Sequence, residues 1–274
     1  MNFRSLNVKK VYAITVMGTD WRASILQNIL ENANIDLHSV ITESKWSTPF
    51  FGRVILEAYG QQQEDARLDF VNQIPLSVRV ESELVKIIRG LIKDVDAIVI
   101  ADYQQVGVVT ATLRSELIRL AKQFPSKVFT VDSRDRISLF HSMTLKPNFW
   151  EAAQILFPGT NPNEILLSDL ITHAKKLLVK VRSPIFITLA EQGCIVITKQ
   201  RHYHVNAVKL DSPIDPVGAG DTFLAALTCC LVKQVNYQLA AKVSNVAAAV
   251  SVQKLFTTGT ATPKEIISMY DYAT

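Results

Sequence analysis

The chain has 274 residues, of which 48% are hydrophobic and 20% are charged, and its net charge is +4 at neutral pH. This length allows a sizeable core, and no apolar run reaches the ~18 residues that a membrane-spanning helix needs. The mild, unclustered charge suits an anionic small molecule and argues against nucleic acid as a partner. The first residues lack the apolar core of a signal peptide, and the three cysteines have no CxxC spacing. We therefore expect a cytoplasmic protein with reduced thiols.

Strands and helices are predicted to alternate along the chain. Short β-branched runs predict strands at 10–16, 52–59, 96–102, 127–132, 185–190 and 194–199. Longer patterns between them predict helices at 22–33, 82–94 and 163–181. The alternation favours a single α/β domain over 1–274, with a mostly parallel sheet covered by helices on both faces. The segment 50–80 breaks the rhythm, and we interpret it either as a hairpin or flap over a site or as an ordinary excursion at the sheet edge.

The segment 212–227, SPIDPVGAGDTFLAAL, places two of the chain's 10 glycines around one alanine, directly before an acid and an apolar helical pattern. Gly218 and Gly220 permit positive φ and close approach of the backbone, so that successive N–H groups can converge on one point. The first turn of the following helix adds unpaired N–H donors and the positive end of its dipole. The pattern predicts a site for a phosphate or for a transferring phosphoryl group.

Asp221 follows this loop directly, at a position where a fixed negative charge would repel a bound phosphate. It is explained either as a base that takes a proton from an attacking hydroxyl, or as a helix cap beside glycines that only make the turn. Two known phosphate loops are excluded. The chain has no GxxxxGK[ST] string, and Phe223 stands where a dinucleotide-binding fingerprint needs its third glycine.

The string DPVGAGDTF closely resembles the C-terminal signature of the ribokinase-like (PfkB) carbohydrate kinases. Three other segments resemble the family in the same order, namely KPNFWE at 146–151, ITLAEQG at 187–193 and SNVAAAVSVQKLFTTGT at 244–260. FGRVI, QQ and RLDF, followed by IADYQQVGV, are most similar to kinases of the heptose-phosphate type. The resemblance implies a ribokinase-like α/β fold and ATP-dependent phosphorylation of a sugar or sugar-phosphate hydroxyl.

The resemblance also implies roles for individual residues. Asp221 would be the catalytic base. The anion hole would be formed by the backbone amides of Val217, Gly218, Ala219 and Gly220. The nucleotide would be bound by Asn148, Thr188, Gly193, Asn245 and Gly259. Glu151 would hold Mg²⁺ through water, and Asp215 with nearby carbonyls would hold a potassium-like monovalent cation.

Several positions leave alternatives open. Asn148 and Glu151 are also explained as a helix-cap pair after a strand. Ala190 stands where the family usually has glycine, which tightens the nucleotide loop. Gln105 replaces a lysine common in the heptose-type proteins, and Arg134 either supplies positive charge instead or is a solvated surface residue. The alternating histidines at 202 and 204 indicate an exposed strand edge more than a zinc site, because no third ligand is evident.

The start of the chain departs from the family's pattern. Family members begin with a strand that bears a sugar-binding acid, then part of a lid and a GGxxxN-type motif, whereas residues 2–20 resemble the segment immediately after that motif. We therefore interpret the fold as shortened at its N-terminus, with a sheet edge open to pairing with another chain, as in a homodimer. Two rivals to an active kinase remain. One is a nucleotide-binding relic without turnover, and the other is a fragment whose missing part comes from upstream sequence or from a partner chain.

Overall fold

The computed structural model describes residues 1–211 and 213–273. Its helices are α1 (Asn2–Ser5), α2 (Trp21–Asn32), α3 (Val78–Leu91), α4 (Ala111–Gln123), α5 (Phe149–Leu156), α6 (Leu167–Val181), α7 (Ala219–Val232), α8 (Tyr237–Val252) and α9 (Pro263–Ala273). Its strands are β1 (Thr15–Met17), β2 (Val40–Thr42), β3 (Phe50–Ala58), β4 (Gln61–Phe70), β5 (Ala97–Asp102), β6 (Val128–Ser133), β7 (Thr144–Leu145), β8 (Ile185–Thr188), β9 (Cys194–Ile197) and β10 (His202–Val205). Strands and helices alternate through most of the chain.

A six-stranded mixed sheet lies at the centre, in the order β10-β9-β8-β7-β6-β5. Strands β5 to β8 pair in parallel, while β9 pairs antiparallel with both β8 and β10. The predicted mostly parallel sheet is confirmed. Because the carboxyl ends of β5, β6 and β7 lie at one edge of the parallel part, the loops that follow them are brought together there.

Both faces of this sheet are covered by helices, as predicted. On one face, Ile187 and Ile195 join a buried apolar cluster with side chains of α3, α4 and α6. On the other face, Phe186 and Val196 join a second cluster with side chains of α7 and α8. Neighbouring residues of one strand therefore bury their side chains in opposite directions. This is why these strands are apolar throughout rather than alternating with polar residues.

Strands β1 and β2 form a separate parallel pair. Within the described residues, β1 pairs only with β2 and β5 pairs only with β6. One cavity of about 1090 Å³ is lined by Thr15 and Val16 of β1 and by every residue of β5. The uncovered sheet edge that the sequence predicts is thus found on β5.

The segment predicted as an excursion contains an antiparallel hairpin of β3 and β4, and its last residues, 78–80, belong to α3. Tyr59 and Gly60 turn the hairpin with φ of 53° and 73°. The register of the two strands shifts between Arg53 and Ile55, which marks a bulge. Residues 65 and 66 of β4 oppose the single residue 54 of β3, so the bulge is on β4, directly beside the pair of Arg53 and Arg67.

The remaining predicted elements agree with the structure within a few residues, except at the first strand. The pattern at 10–16 becomes a strand only from Thr15, because its earlier part makes a single bridge between Tyr12 and Asp36. The three cysteines are free thiols. Across the described parts of the chain, no helix is long and apolar enough to cross a membrane.

Candidate active site

The glycine loop leads into α7 as predicted. Gly218 is the N-cap residue of α7 and has φ of 84°. A Cβ atom added there would also lie 2.7 Å from Thr258 Cγ2, so the position favours glycine on both counts. Asp221 lies in the first turn with its side chain exposed to solvent. Its carboxylate accepts a hydrogen bond from Tyr103 Oη at 2.7 Å, and no backbone N–H of α7 is among its described partners, which argues against the helix-cap alternative.

Two of the four predicted anion-hole amides need correction. The N–H of Val217 donates to Asp215 Oδ1 at 3.1 Å, and the N–H of Ala219 donates to the carbonyl of Pro216 at 3.2 Å. These bonds form because the residues between Asp215 and Gly218 fold into a tight turn that satisfies its own donors. Val217 and Ala219 therefore shape the loop and do not offer free donors to a ligand.

The other predicted amides are available. The N–H groups of Gly218 and Gly220 have no acceptor in the part of the chain that the structure describes, and neither has the N–H of Asp221. All three belong to the cap and first turn of a 14-residue helix, whose dipole is positive at this end. The amides of Gly218 and Gly220, with that of Asp221 in addition, are thus the donors that remain for the predicted anion hole, which stays a prediction.

A buried lysine approaches this loop. Lys146 Nζ forms an ion pair with Asp132 Oδ2 at 2.8 Å, and both side chains are at least 94% buried. A Cβ atom added to Gly220 would lie 3.5 Å from the same Nζ. This is an ordinary contact distance, so Gly220 is not required by sterics, but it shows that the ammonium group lies beside the helix N-terminus, where a phosphate would bind.

Tyr103 links this ion pair to Asp221. Its hydroxyl lies 3.0 Å from Asp132 Oδ2 and 2.7 Å from Asp221 Oδ1. A hydroxyl has one hydrogen, so it donates to one carboxylate at a time. Burial, together with the charges of the two carboxylates, raises the pKa of Tyr103 far above its ordinary value. The side chain therefore remains a neutral donor that holds the Asp221 carboxylate in place.

Sequence reasoning missed Tyr103, Asp132 and Lys146 as site residues. Each stands at, or directly after, the carboxyl end of a parallel strand, namely β5, β6 and β7. A polar residue where an apolar strand ends is the signal that could have found them, because side chains at this edge of adjacent parallel strands converge. Lys146 even lies within KPNFWE, the string used for the family resemblance.

A second buried charge pair fixes the loop after β5. Asp102 is 3% exposed and accepts from Arg136 Nη2 at 2.5 Å and Nε at 3.0 Å. The same guanidinium donates to the carbonyls of Gln104 and Gln105. Arg136 is thus the arginine that organises this loop, whereas Arg134 is exposed, as the surface interpretation of that residue predicts.

Asn148 and Glu151 form a reciprocal capping box at the start of α5. The Asn148 side chain accepts from the Glu151 N–H at 2.9 Å, and Glu151 Oε2 accepts from the Asn148 N–H at 2.8 Å. The helix-cap alternative is therefore realised, yet Glu151 Oε1 keeps no acceptor bond among the described residues. Burial raises the pKa of Glu151 although the Asn148 N–H opposes this, so a cation nearby would stabilise its charged form.

This donor set fits a magnesium ion held through water. The described residues contain no group of three or more His, Cys, Asp or Glu side chains that could hold a metal ion directly. Mg²⁺ commonly keeps several waters and uses one or two carboxylates together with substrate phosphates. A single carboxylate with one open oxygen, such as Glu151, satisfies that requirement. The exposed His204 instead lies 2.9 Å from the Gln192 carbonyl and has no metal-site partners among these residues.

The structure brings the predicted nucleotide residues together in pairs. Thr188, the last residue of β8, forms a parallel bridge with Asn148, the N-cap residue of α5. Gly218 and Gly259 are also close, since a Cβ atom on Gly218 would lie 3.7 Å from the Gly259 carbonyl. A Cβ atom on Gly259 would meet the Ser251 carbonyl at 2.1 Å, so only glycine fits there.

Gly193 and Asn245 meet at the end of β10. A Cβ atom on Gly193, which has φ of 92°, would lie 2.2 Å from the Val205 carbonyl. The buried Asn245 amide donates from Nδ2 to the carbonyls of Val205 and Asn206 at 2.9 and 3.0 Å. Asn245 therefore ties α8 to β10, and its amide hydrogens are already used. Its predicted contact with a nucleotide stays a prediction.

Asp215 has a partner that the sequence did not indicate. Arg53 Nη1, on β3 of the hairpin, lies 2.8 Å from Asp215 Oδ2. Burial alone would raise the pKa of Asp215, but the hydrogen bond and charge of Arg53 and the Val217 N–H hold it below its ordinary value. The monovalent cation at Asp215 stays a prediction, and its site does not fit readily, because both carboxylate oxygens are already engaged.

We expect Ala190→Gly to stabilise the protein. Ala190 has φ of 50°, a left-handed conformation that costs a residue with a Cβ atom about 1–2 kcal/mol. Glycine relieves this cost but loses more backbone entropy, so the net gain in the free energy of unfolding should be about 1 kcal/mol or less. Urea unfolding measures it, with the unstrained Ala111→Gly at the start of α4 as a control that should lose stability. A lower free energy of unfolding for Ala190→Gly than for the parent would contradict the backbone strain at this position.

Comparison with solved structures shows which fold this is. The chain superposes on phosphofructokinase-2 from Escherichia coli in complex with potassium with a TM-score of 0.75 and 17% identity, covering 99% of this chain and 85% of that one. It superposes on a ribokinase from Thermotoga maritima with a TM-score of 0.69 and 19% identity, covering 98% and 84%. The fold is ribokinase-like α/β, as predicted.

The family follows from the sequence comparisons. The pfkB family of carbohydrate kinases matches residues 4–265. The chain is 28% identical over 249 residues to the bifunctional protein HldE of Helicobacter pylori strain G27, which covers 90% of this chain and 51% of that protein. The chain thus spans about half the length of the curated relatives it matches. It belongs to the pfkB family of carbohydrate kinases, and the resemblance stated from its motifs is confirmed.

Proposed function

We propose that this chain transfers the γ-phosphoryl group of ATP to a hydroxyl of a sugar or sugar phosphate. The observation that carries the proposal is the exposed carboxylate of Asp221, in the first turn of α7 beside the free amides of Gly218 and Gly220. A base next to converging N–H donors is the arrangement that an attacking alcohol and a transferring phosphoryl group require. Membership of a carbohydrate kinase family supports the same chemistry.

In the proposed reaction, Asp221 accepts the proton of the acceptor hydroxyl. The hydroxyl oxygen forms a bond to the γ-phosphorus, in line with the breaking bond to the β–γ bridging oxygen, and ADP leaves with the electrons of that bond. The amides of Gly218 and Gly220 donate to the oxygens of the transferring group, and Lys146 adds positive charge beside them. Tyr103 keeps the Asp221 carboxylate oriented by donating to it.

Mg²⁺ would be held by Glu151 through water and would neutralise charge on the phosphate oxygens. We place the nucleotide between the pair Asn148 and Thr188 and the loop at Gly259. This placement is supported by the bridge between Asn148 and Thr188 and by the close approach of Gly259 to Gly218. Gly193 and Asn245 would form the far wall of the pocket.

The proposed acceptor is a small molecule, and the proposed setting is the cytoplasm. The printed names of similar proteins include phosphofructokinase-2 in complex with fructose-6-phosphate, so a sugar phosphate is one candidate acceptor. Free thiols at all three cysteines agree with a reducing compartment. A nucleic-acid substrate is not part of the proposal, because the net charge of +4 is mild.

A nucleotide-binding protein without turnover is the second candidate, and one observation favours it. The cavity of about 1090 Å³ lined by β1 and β5 extends to Asp102 and Tyr103, next to the proposed site. A site beside an open cavity excludes water poorly, and exclusion of water is part of what a kinase needs. Binding could then persist where catalysis does not.

Turnover of ATP against a panel of acceptors separates these candidates. We expect ADP formation with at least one hexose, heptose, sugar phosphate or nucleoside above the rate in water alone. ATP binding by calorimetry without acceptor-dependent turnover would favour the second candidate. If neither ATP binding nor acceptor-dependent turnover is found, both candidate functions are refuted. Reading the gene upstream of Met1 tests the fragment rival, since an in-frame GGxxxN-coding stretch would favour an intact kinase.

We further propose that the chain forms a homodimer through its hairpin. Leu56 and Leu68 are exposed apolar side chains on β3 and β4, and the register places them on the same face of the hairpin, because Leu68 pairs with Gly52, four residues from Leu56. Apolar side chains clustered on an exposed surface indicate an association site. We expect Leu68→Glu to produce monomers in analytical ultracentrifugation, whereas Leu166→Glu, at an exposed leucine outside the hairpin, should not. A monomeric parent protein would overturn the proposal.

A further inference from the structure

We propose that Arg53 supplies the positive charge that positions Asp215 and the glycine loop, in place of a dissociable monovalent cation. Arg53 is thus a positioning residue that couples the hairpin to the anion hole. The inference rests on the proposed function for its catalytic readout, but its structural readout does not depend on turnover.

Arg53 contacts two carboxylates, of which Asp215 is buried. Its Nη1 atom lies 2.8 Å from Asp215 Oδ2 and 3.0 Å from Glu64 Oε2, and its side chain is only 13% exposed. Asp215 is 9% exposed. The pair with Asp215 is therefore largely shielded from bulk water and is screened little, whereas Glu64 is 44% exposed.

Asp215 also contacts the turn that leads into the glycine loop. Its Oδ1 atom accepts from the Val217 N–H at 3.1 Å, and its own N–H donates to the Val252 carbonyl at 2.7 Å. The residue after Val217 is Gly218, whose free N–H belongs to the proposed anion hole. The orientation of the Asp215 carboxylate therefore fixes the turn that presents this donor.

The hairpin places Arg53 at a cost to its own pairing. Arg53 lies directly opposite Arg67 in the strand register, and like charges in that relation destabilise a pair of strands. This like-charge pair is explained if Arg53 is selected for its contact with Asp215, 162 residues away in sequence, rather than for the stability of the hairpin.

A guanidinium and a potassium ion compete for the same carboxylate. K⁺ at Asp215 would need carboxylate oxygen that is now engaged by Arg53 and by the Val217 N–H. A cation attached to the chain does not dissociate, so the loop needs no dissolved ion while the hairpin stays docked. Movement of the hairpin would instead withdraw the charge and release the loop.

The test compares the variants Arg53→Gln and Arg53→Lys with a matched control, Arg67→Gln. Arg67 lies on the facing strand, and its side chain is 58% exposed. At a constant ionic strength of about 0.1 M, we expect turnover of the parent protein to be the same in potassium and in tetramethylammonium salts. Arg53→Gln should lower kcat/KM on the order of 10–10²-fold in tetramethylammonium, as displacement of a catalytic group does, and should regain activity as K⁺ is added. Arg53→Lys should keep part of the activity without K⁺. Arg67→Gln should match the parent.

Hydrogen exchange gives the readout that does not need turnover. We expect faster amide exchange at 215–220 and along the hairpin in Arg53→Gln, slowed again by K⁺ at the loop only, and unchanged exchange in Arg67→Gln. Strong stimulation of the parent protein by K⁺ would overturn the inference, and so would identical exchange in the two glutamine variants. If no protein turns over but exchange behaves as expected, the proposed function fails and the positioning role stands.

Discussion

Asp221→Asn is expected to lower turnover by about 10²–10⁴-fold, the range that loss of a general base produces. The amide keeps the size of the carboxylate and can still accept the hydrogen bond from Tyr103, but it cannot take a proton from the acceptor hydroxyl. ATP binding should remain or strengthen slightly, because a negative charge beside the phosphate site is removed. Single-turnover kinetics and calorimetry measure the two effects separately.

The control for this variant is Asp211→Asn, which changes an exposed carboxylate ten positions earlier and should leave turnover unaltered. Turnover of Asp221→Asn equal to that of the parent would refute the assignment of the base. A parallel loss of turnover and of ATP affinity would point to a binding role for Asp221.

Lys146→Met is expected to lower the free energy of unfolding by about 3–5 kcal/mol, the cost of leaving a buried charge unpaired. The charge left behind is Asp132, which is 4% exposed and keeps only the shared hydroxyl of Tyr103 as a donor from the site. Urea unfolding measures the change. Lys199→Met, at an exposed lysine after β9, should stay close to the parent.

The double variant Asp132→Asn with Lys146→Met separates stability from chemistry. Removing both charges should restore much of the lost stability, because no unpaired ion remains buried. Turnover should nevertheless stay low by about 10²–10³-fold, as when one preorganised stabilising group is lost from a site. Full recovery of turnover in the stable double variant would show that Lys146 has only a structural role and that its charge beside Gly220 does not contribute to turnover.

The parts of the fold that the sequence predicted well are those that bury apolar side chains. Strands β5, β6, β8 and β9 are short apolar runs between polar ends, so their limits are visible in the sequence. A hairpin was one interpretation of 50–80, but the bounds of β4 could not be predicted, because all ten of its residues are exposed and leave no alternation between a buried and a solvent face. The two-residue β7 is too short for any periodic signal.

The candidate site, like the fold, has one part that the sequence predicted and another that it did not. The glycine loop and Asp221 form one continuous string, so local chemistry was enough to predict them. Tyr103, Asp132 and Lys146 meet only because β5, β6 and β7 are neighbours in the sheet, and strand order is not written in any single segment. The pair of Arg53 and Asp215 joins positions 162 residues apart and depends on how the hairpin docks.

The open flank of β5 has a consequence for the chain in concentrated solution. Backbone groups along that flank have no strand beside them in the described structure, and main-chain pairing tolerates almost any extended peptide of suitable length. Every copy carries the same flank, so crowding favours pairing of two copies edge to edge, an arrangement that uses both flanks and closes. The tendency of the protein to associate on storage should therefore change when an extended segment pairs with the open flank of β5.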